Sequence, residues 1–138
     1  MNSFTFDEIK IGEKASFTHV ITDDMMKKFF EISGDNNPLH VNLEYAREKK
    51  FPSCVAYGML TSSLYSTLAG VYLPGERCLL RKVHSDFHNP AFVGDIMCIE
   101  GTVVEKHEST RTLKIKAVIR NQDGKRISKA LIEAGVFD

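Results

Sequence analysis

The stretch Asp35-Asn36-Asn37-Pro38-Leu39-His40 holds an acid and an imidazole on one stiff turn. Proline fixes its own φ and restrains the residue before it, so the two side chains are kept close together. Further along, Gly58-Met59 opens a stretch without charge, and a glycine at a helix start can aim its N–H at an oxygen. An acid–base pair can place a water and move two protons. An amide at the positive end of a helix can hold a developing oxyanion. Together these parts suit the addition of water to an acyl compound, or its removal. The same residues also have plainer uses. Asp-Asn-Asn-Pro is ordinary turn chemistry, with Asx side chains bonded to nearby backbone, and Asn37 suits that as well as it suits a water. Gly58 equally permits close packing.

The elements that must position these groups are read from caps and periodicity. Thr22, followed by Asp23 and Asp24, predicts a helix start with an N-cap and acids in the first turn. Met26, Phe29, Phe30 and Ser33 continue a helical stripe, and Gly34 suits a left-handed stop. The Asp35–His40 turn therefore follows directly on a helix C-terminus. Asn42 predicts a cap for a second short helix through Tyr45 and Ala46, and residues 49–53 read as loop. Leu60, Leu64, Leu68 and Val71 predict the clearest helix of the chain over 58–72. Its other positions are small and uncharged, so it is expected to be wrapped by other structure. After Gly75 the period becomes two, which predicts strands over 77–87, 96–106, 112–119 and 127–137, with one more near 14–20. Asn121-Gln122-Asp123-Gly124 suits a hairpin turn. One buried helix with mostly antiparallel strands implies an α+β fold, the sheet curled round the helix.

Bulk properties exclude several classes. A chain of 138 residues suits one domain, 1–138, with a real core. Eighteen basic residues balance eighteen acidic ones, so no global field draws nucleic acid or an anionic membrane. No apolar run approaches the ~20 residues of a membrane span, and the N-terminus has no secretory signal pattern. Cys54, Cys78 and Cys98 form no CxxC pair, which fits free thiols in a reducing, cytoplasmic setting. His84 and His88, four apart, would face one side of a strand but stand too far apart to chelate, and no third ligand is evident, so no metal is expected. Lys49-Lys50 suits either a solvated face or contact with phosphates.

The chain resembles the MaoC-like hydratases of hot dog fold, which include (R)-specific enoyl-CoA hydratases and 3-hydroxyacyl thioester dehydratases. The resemblance runs over nearly the whole length. Its core is Ser33-Gly34-Asp35-Asn36-Asn37-Pro38-Leu39-His40, then Gly58-Met59-Leu60, Leu73-Pro74-Gly75 and Phe92-Val93-Gly94-Asp95. It implies a curved antiparallel sheet around one long central helix, with short helices before it. It also implies that Asp35 and His40 form the catalytic pair, that Asn37 orients the water or the histidine, and that the backbone N–H of Gly58 receives the thioester oxygen. Ser66, Tyr57 and Met59 would lie along the substrate. Tyr57 departs from the histidine that many relatives place before Gly-Met, which bears on substrate fit. The implied partners are a coenzyme A or acyl carrier protein thioester and a second copy of the chain in a homodimer, with no cofactor.

The implied reaction is reversible hydration of trans-2-enoyl thioesters to (R)-3-hydroxyacyl thioesters. Two other functions fit a hot dog chain. A thioesterase of this fold often carries its carboxylate on the central helix, and 58–72 has no Asp or Glu. A non-catalytic acyl-thioester-binding or assembly module would not need Asp35 and His40.

Overall fold

Two rows made up of large apolar residues and one serine, separated by a row of small ones, shape the inner face of the sheet. A computed structural model describes residues 1–138 in full. Its strands are β1 (Lys14–Val20), β2 (Cys78–Phe87), β3 (Ile96–His107), β4 (Thr112–Arg120) and β5 (Arg126–Val136). They form one antiparallel sheet in the order β1-β3-β4-β5-β2. Register places Ala15, Gly101, Ala117, Ala130 and Ser85 side by side across all five strands. On one side of that row run Phe17, Ile99, Ile119, Ser128 and Phe87; on the other, Val103, Ile115, Ile132 and Val83. The small row is a trough, because side chains at i and i+2 rise on the same face.

A helix lies against this inner face. Between β1 and β2 the chain forms α1 (Asp23–Ser33), α2 (Pro38–Val41), α3 (Leu43–Glu48) and α4 (Gly58–Thr67), and the last turn of α4 widens into π geometry over Leu68–Tyr72. The Leu73 amide closes that turn on the Leu68 carbonyl. Contacts from this helix reach every strand. Tyr72 stacks on Phe17 of β1 at 4.8 Å. Leu68 sits over Gly101 of β3, where a Cβ would lie 2.6 Å from Leu68 Cδ2 and 3.0 Å from Ile115 Cγ2 of β4. The Tyr65 hydroxyl meets Ser128 Oγ of β5 at 2.7 Å, and Ser62 Oγ meets Ser85 Oγ of β2 at 3.4 Å. Leu60, Leu64, Tyr65, Leu68 and Ala69 are buried in one core with the sheet. Burying a leucine side chain is worth roughly 1.5–3 kcal/mol, so this face rather than helix propensity seats the element.

The expected hot dog architecture holds: an α+β chain with an antiparallel sheet curled about a central helix. The expectation that 58–72 is wrapped by other structure is met along one side of the helix. Met59, Ser63 and Ser66, at i, i+4 and i+7, stay exposed, so the sheet covers one side of the helix and leaves a strip open. Absence of charge there marks a surface suited to a close neighbour, not one enclosed by this chain. One element was unforeseen. The stretch from Pro38 is a single helical turn, with Pro38 in the first turn and Asn37 as its cap. No helix is long and apolar enough to cross a membrane.

Candidate active site

Asp35 and His40 are set by two successive caps. Helix α1 begins at Thr22, whose side chain accepts from the Met25 amide, and stops at Gly34, whose φ of 70° turns the chain left-handed. Ser33 Oγ donates to the Phe29 carbonyl and accepts from the Asp35 amide, which directs the chain into the next turn. Asp35 Oδ1 then accepts the Asn37 amide at 3.1 Å, and Asn37 Oδ1 accepts the Leu39 amide at 3.0 Å. One carboxylate oxygen of Asp35 is thereby anchored and the other left free. Pro38 starts α2, and His40 falls in its only turn.

His40 is held from the other side by the segment leading into α4. Its Nδ1 lies 2.7 Å from the Val55 carbonyl oxygen. A carbonyl can only accept, so Nδ1 carries the proton and Nε2 is left as the open nitrogen. The Val55 amide in turn donates to the Leu39 carbonyl, and the Ala56 amide to the Ala91 carbonyl. Tyr57 follows, with its ring 4.3 Å from that of His40 and its hydroxyl donating to the Asp35 carbonyl at 2.7 Å. Burial, then the nearby Asp35 charge, push the Tyr57 phenol up, so it remains a donor.

Helix α4 starts without a side-chain cap. The Leu60 and Thr61 amides both turn to the Tyr57 carbonyl, while the Gly58 and Met59 amides ahead of them meet no backbone acceptor. Such unpaired amides, at the positive end of a helix dipole, form an anion-accepting end.

Asp35, His40, Tyr57, Gly58 and Met59 border one cleft of about 280 Å³, which Phe29 beside Tyr57 and Phe87 beside Gly58 also line. His40, Gly58 and Phe87 also border a second cavity of about 260 Å³ that runs on past Thr61, His88 and Ile127. Of the residues singled out from sequence, Asp35, His40, Gly58, Tyr57 and Met59 therefore converge. Asn37 uses its side-chain oxygen on its own turn and does not border the cleft. Ser66 is exposed on α4, two turns beyond Gly58, and does not border it either. Phe29 and Phe87, which the sequence marks only as parts of a helix and a strand, border it as well. The period-two pattern puts Phe87 on the inner face with Val83 and Ser85, which is the signal that could have found it. The expectation that His84 and His88 share a side fails, because β2 ends at Phe87. His84 borders a cavity on the outer face of the sheet with Glu100 and Lys116, whereas His88 faces the cavity of His40.

Comparison with known proteins now decides the family. The model of the MaoC like domain matches residues 7–123. This chain belongs to that family. The (R)-specific enoyl-CoA hydratase of Rhodospirillum rubrum is 32% identical over 125 residues, covering 85% of this chain and 87% of that one. A mitochondrial 3-hydroxyacyl-[acyl-carrier-protein] dehydratase of Arabidopsis thaliana is 32% identical over 87 residues, 63% of this chain and 51% of its own. Among solved structures, the unliganded R-hydratase PhaJ1 of Pseudomonas aeruginosa superposes with a TM-score of 0.91 at 28% identity, covering 97% of this chain and 86% of that one. The MaoC-like chain is accordingly an enzyme of the hydro-lyase class.

Proposed function

We propose that the protein reversibly hydrates trans-2-enoyl thioesters to (R)-3-hydroxyacyl thioesters, with Asp35 and His40 as the acid–base pair and the Gly58 amide as the oxyanion donor. The observation that carries this reading is the shared cleft: a carboxylate with one free oxygen, an imidazole with Nε2 open, and an unpaired helix amide border the same space. Water held between Asp35 and His40 Nε2 gives its oxygen to carbon three and a proton to the pair. The pair returns a proton to carbon two on the same face. Meanwhile negative charge grows on the thioester oxygen, and a fixed amide stabilises it without reorganising. The (R) outcome is taken from the likeness to the R. rubrum enzyme. Asn37 supports the pair through the backbone it caps, and Met59 and Tyr57 line the path of the acyl group; Ser66 would meet substrate only in an assembly.

The active form proposed is a homodimer. Strand β2 is an edge strand of 10 residues, and Leu80, Val83 and Phe87, which a bulge between Leu80 and Lys82 brings to one face, are exposed beside the open Met59–Ser63–Ser66 strip. The Ser62–Ser85 contact makes these two surfaces continuous. Unpaired strand edges with apolar side chains call for cover. A cytoplasmic setting belongs to the same proposal, supported by the unpaired Cys54, Cys78 and Cys98.

The test is a panel of enoyl-CoA and enoyl-acyl-carrier-protein substrates, followed by loss of the conjugated absorbance and chiral analysis of the product. Hydration to the (R) product on either carrier is the expected result. Release of free thiol without hydration would replace this reading with a thioesterase, and binding without turnover with a carrier module.

A further inference from the structure

Tyr57 is 2% exposed, yet all its polar contacts are with the machinery around it. Its hydroxyl donates to the Asp35 carbonyl, which no backbone amide reaches. Its ring lies on His40 with centroids 4.3 Å apart and 32° between planes, backed by Phe29 of α1 at 4.8 Å. Its own carbonyl receives the Leu60 and Thr61 amides and so fixes the first turn of α4. The next residue is Gly58. Thus one side chain touches both members of the acid–base pair while its backbone holds the helix end that presents the free amide.

Apart from the Tyr57 bond, Asp35 itself is hydrogen-bonded only to its near neighbours Ser33 and Asn37. Asp35 is exposed, and its side chain makes one bond, to the amide two residues on. Turns of that kind move easily unless tertiary contacts fix them. The Tyr57 hydroxyl is already donated, so it has no proton left for a substrate.

We propose that Tyr57 is a positioning residue, which locks Asp35 and His40 at a set distance from the Gly58 amide so that proton transfer and oxyanion binding share one geometry. This rests on the roles proposed above for those three groups, but its test separates the two ideas.

The variant Tyr57→Phe keeps both ring contacts and removes the tie to Asp35. With the expected enoyl-CoA substrate, kcat should fall about tenfold while KM stays within about threefold, because a small misplacement costs rate more than binding. Amide exchange over residues 34–41 should quicken, and the melting temperature should stay near the parental one. A kcat within about twofold of the parent would overturn the proposal. So would a raised KM at unchanged kcat, which would leave Tyr57 a substrate contact with no positioning role. If the parent itself fails to hydrate any enoyl thioester, the functional reading falls alone. Exchange then decides the tie: equal exchange in the parent and Tyr57→Phe refutes it, and faster exchange in the variant upholds it.

Discussion

The ring of Phe87 lies so close to Gly58 that a Cβ at position 58 would stand 3.1 Å from its Cε1 atom. Gly58 and Phe87 border both the cleft of Asp35 and the cavity of His88. Phe87 is 53% exposed, so its ring can yield by the few tenths of an ångström an alanine would need.

Gly58→Ala should therefore fold, keep its N–H and lose no more than about tenfold in kcat/KM through a shifted Phe87 wall. Gly58→Pro adds deletion of the N–H. Proline is tolerated in the first helical position, and Tyr57 at φ −57° and ψ 126° already has the extended backbone a following proline demands. If the amide binds the oxyanion, the proline variant should lose a further ~10²-fold or more in kcat. Equal steady-state kinetics for the two variants would remove Gly58 from the mechanism.

Tyr65 and Ser128 join the central helix to β5 at 2.7 Å, both fully buried. Tyr65→Phe strands the Ser128 hydroxyl and should cost roughly 1–3 kcal/mol in urea unfolding at neutral pH, whereas Y65F/S128A should recover most of that. Burial pushes the Tyr65 phenol up from 10.0 to about 12. The folded state therefore holds its proton where the unfolded chain has lost it. The stability this represents is complete below pH 10, declines as pH rises, and is gone above about pH 12. Denaturation midpoints measured across that window should fall more steeply for the parent than for Y65F/S128A.

Much of this architecture was legible because its signals are local. Thr22 and Gly34 mark the ends of α1 where expected, and the period-two runs give β2 to β5 within a residue or so of their bounds. The helix from Gly58 was equally clear from its leucine spacing. What escaped was set by distant partners or by very short elements. Helix α2 has four residues, too few to show a period. Gly101 is a glycine because Leu68 descends on it from another element. Phe87 borders the cleft only because the strand order returns β2 to the start of α4. Tyr57 read as a departure in substrate fit, since its bond to Asp35 spans 22 positions and leaves no local trace.

The open strip of α4 and the free edge of β2 give a prediction about assembly. Sedimentation should show the parent as a dimer. Val83→Lys, placing a charge beside Ser85 and the Ser62 contact, should shift it to monomer and lower activity in parallel. A parent that sediments as monomer at full activity would refute the dimer.

The most direct test of the account is the hydration of crotonyl-CoA by Asp35→Asn and His40→Gln. Each variant removes one proton-transfer group while sparing the core, since Asp35 is exposed and His40 only half-buried. Followed by the loss of enoyl absorbance, kcat should drop by about 10²–10⁴ in each, with melting temperatures near the parental value. Near-parental turnover in either variant would contradict the assignment of Asp35 and His40 as the acid–base pair.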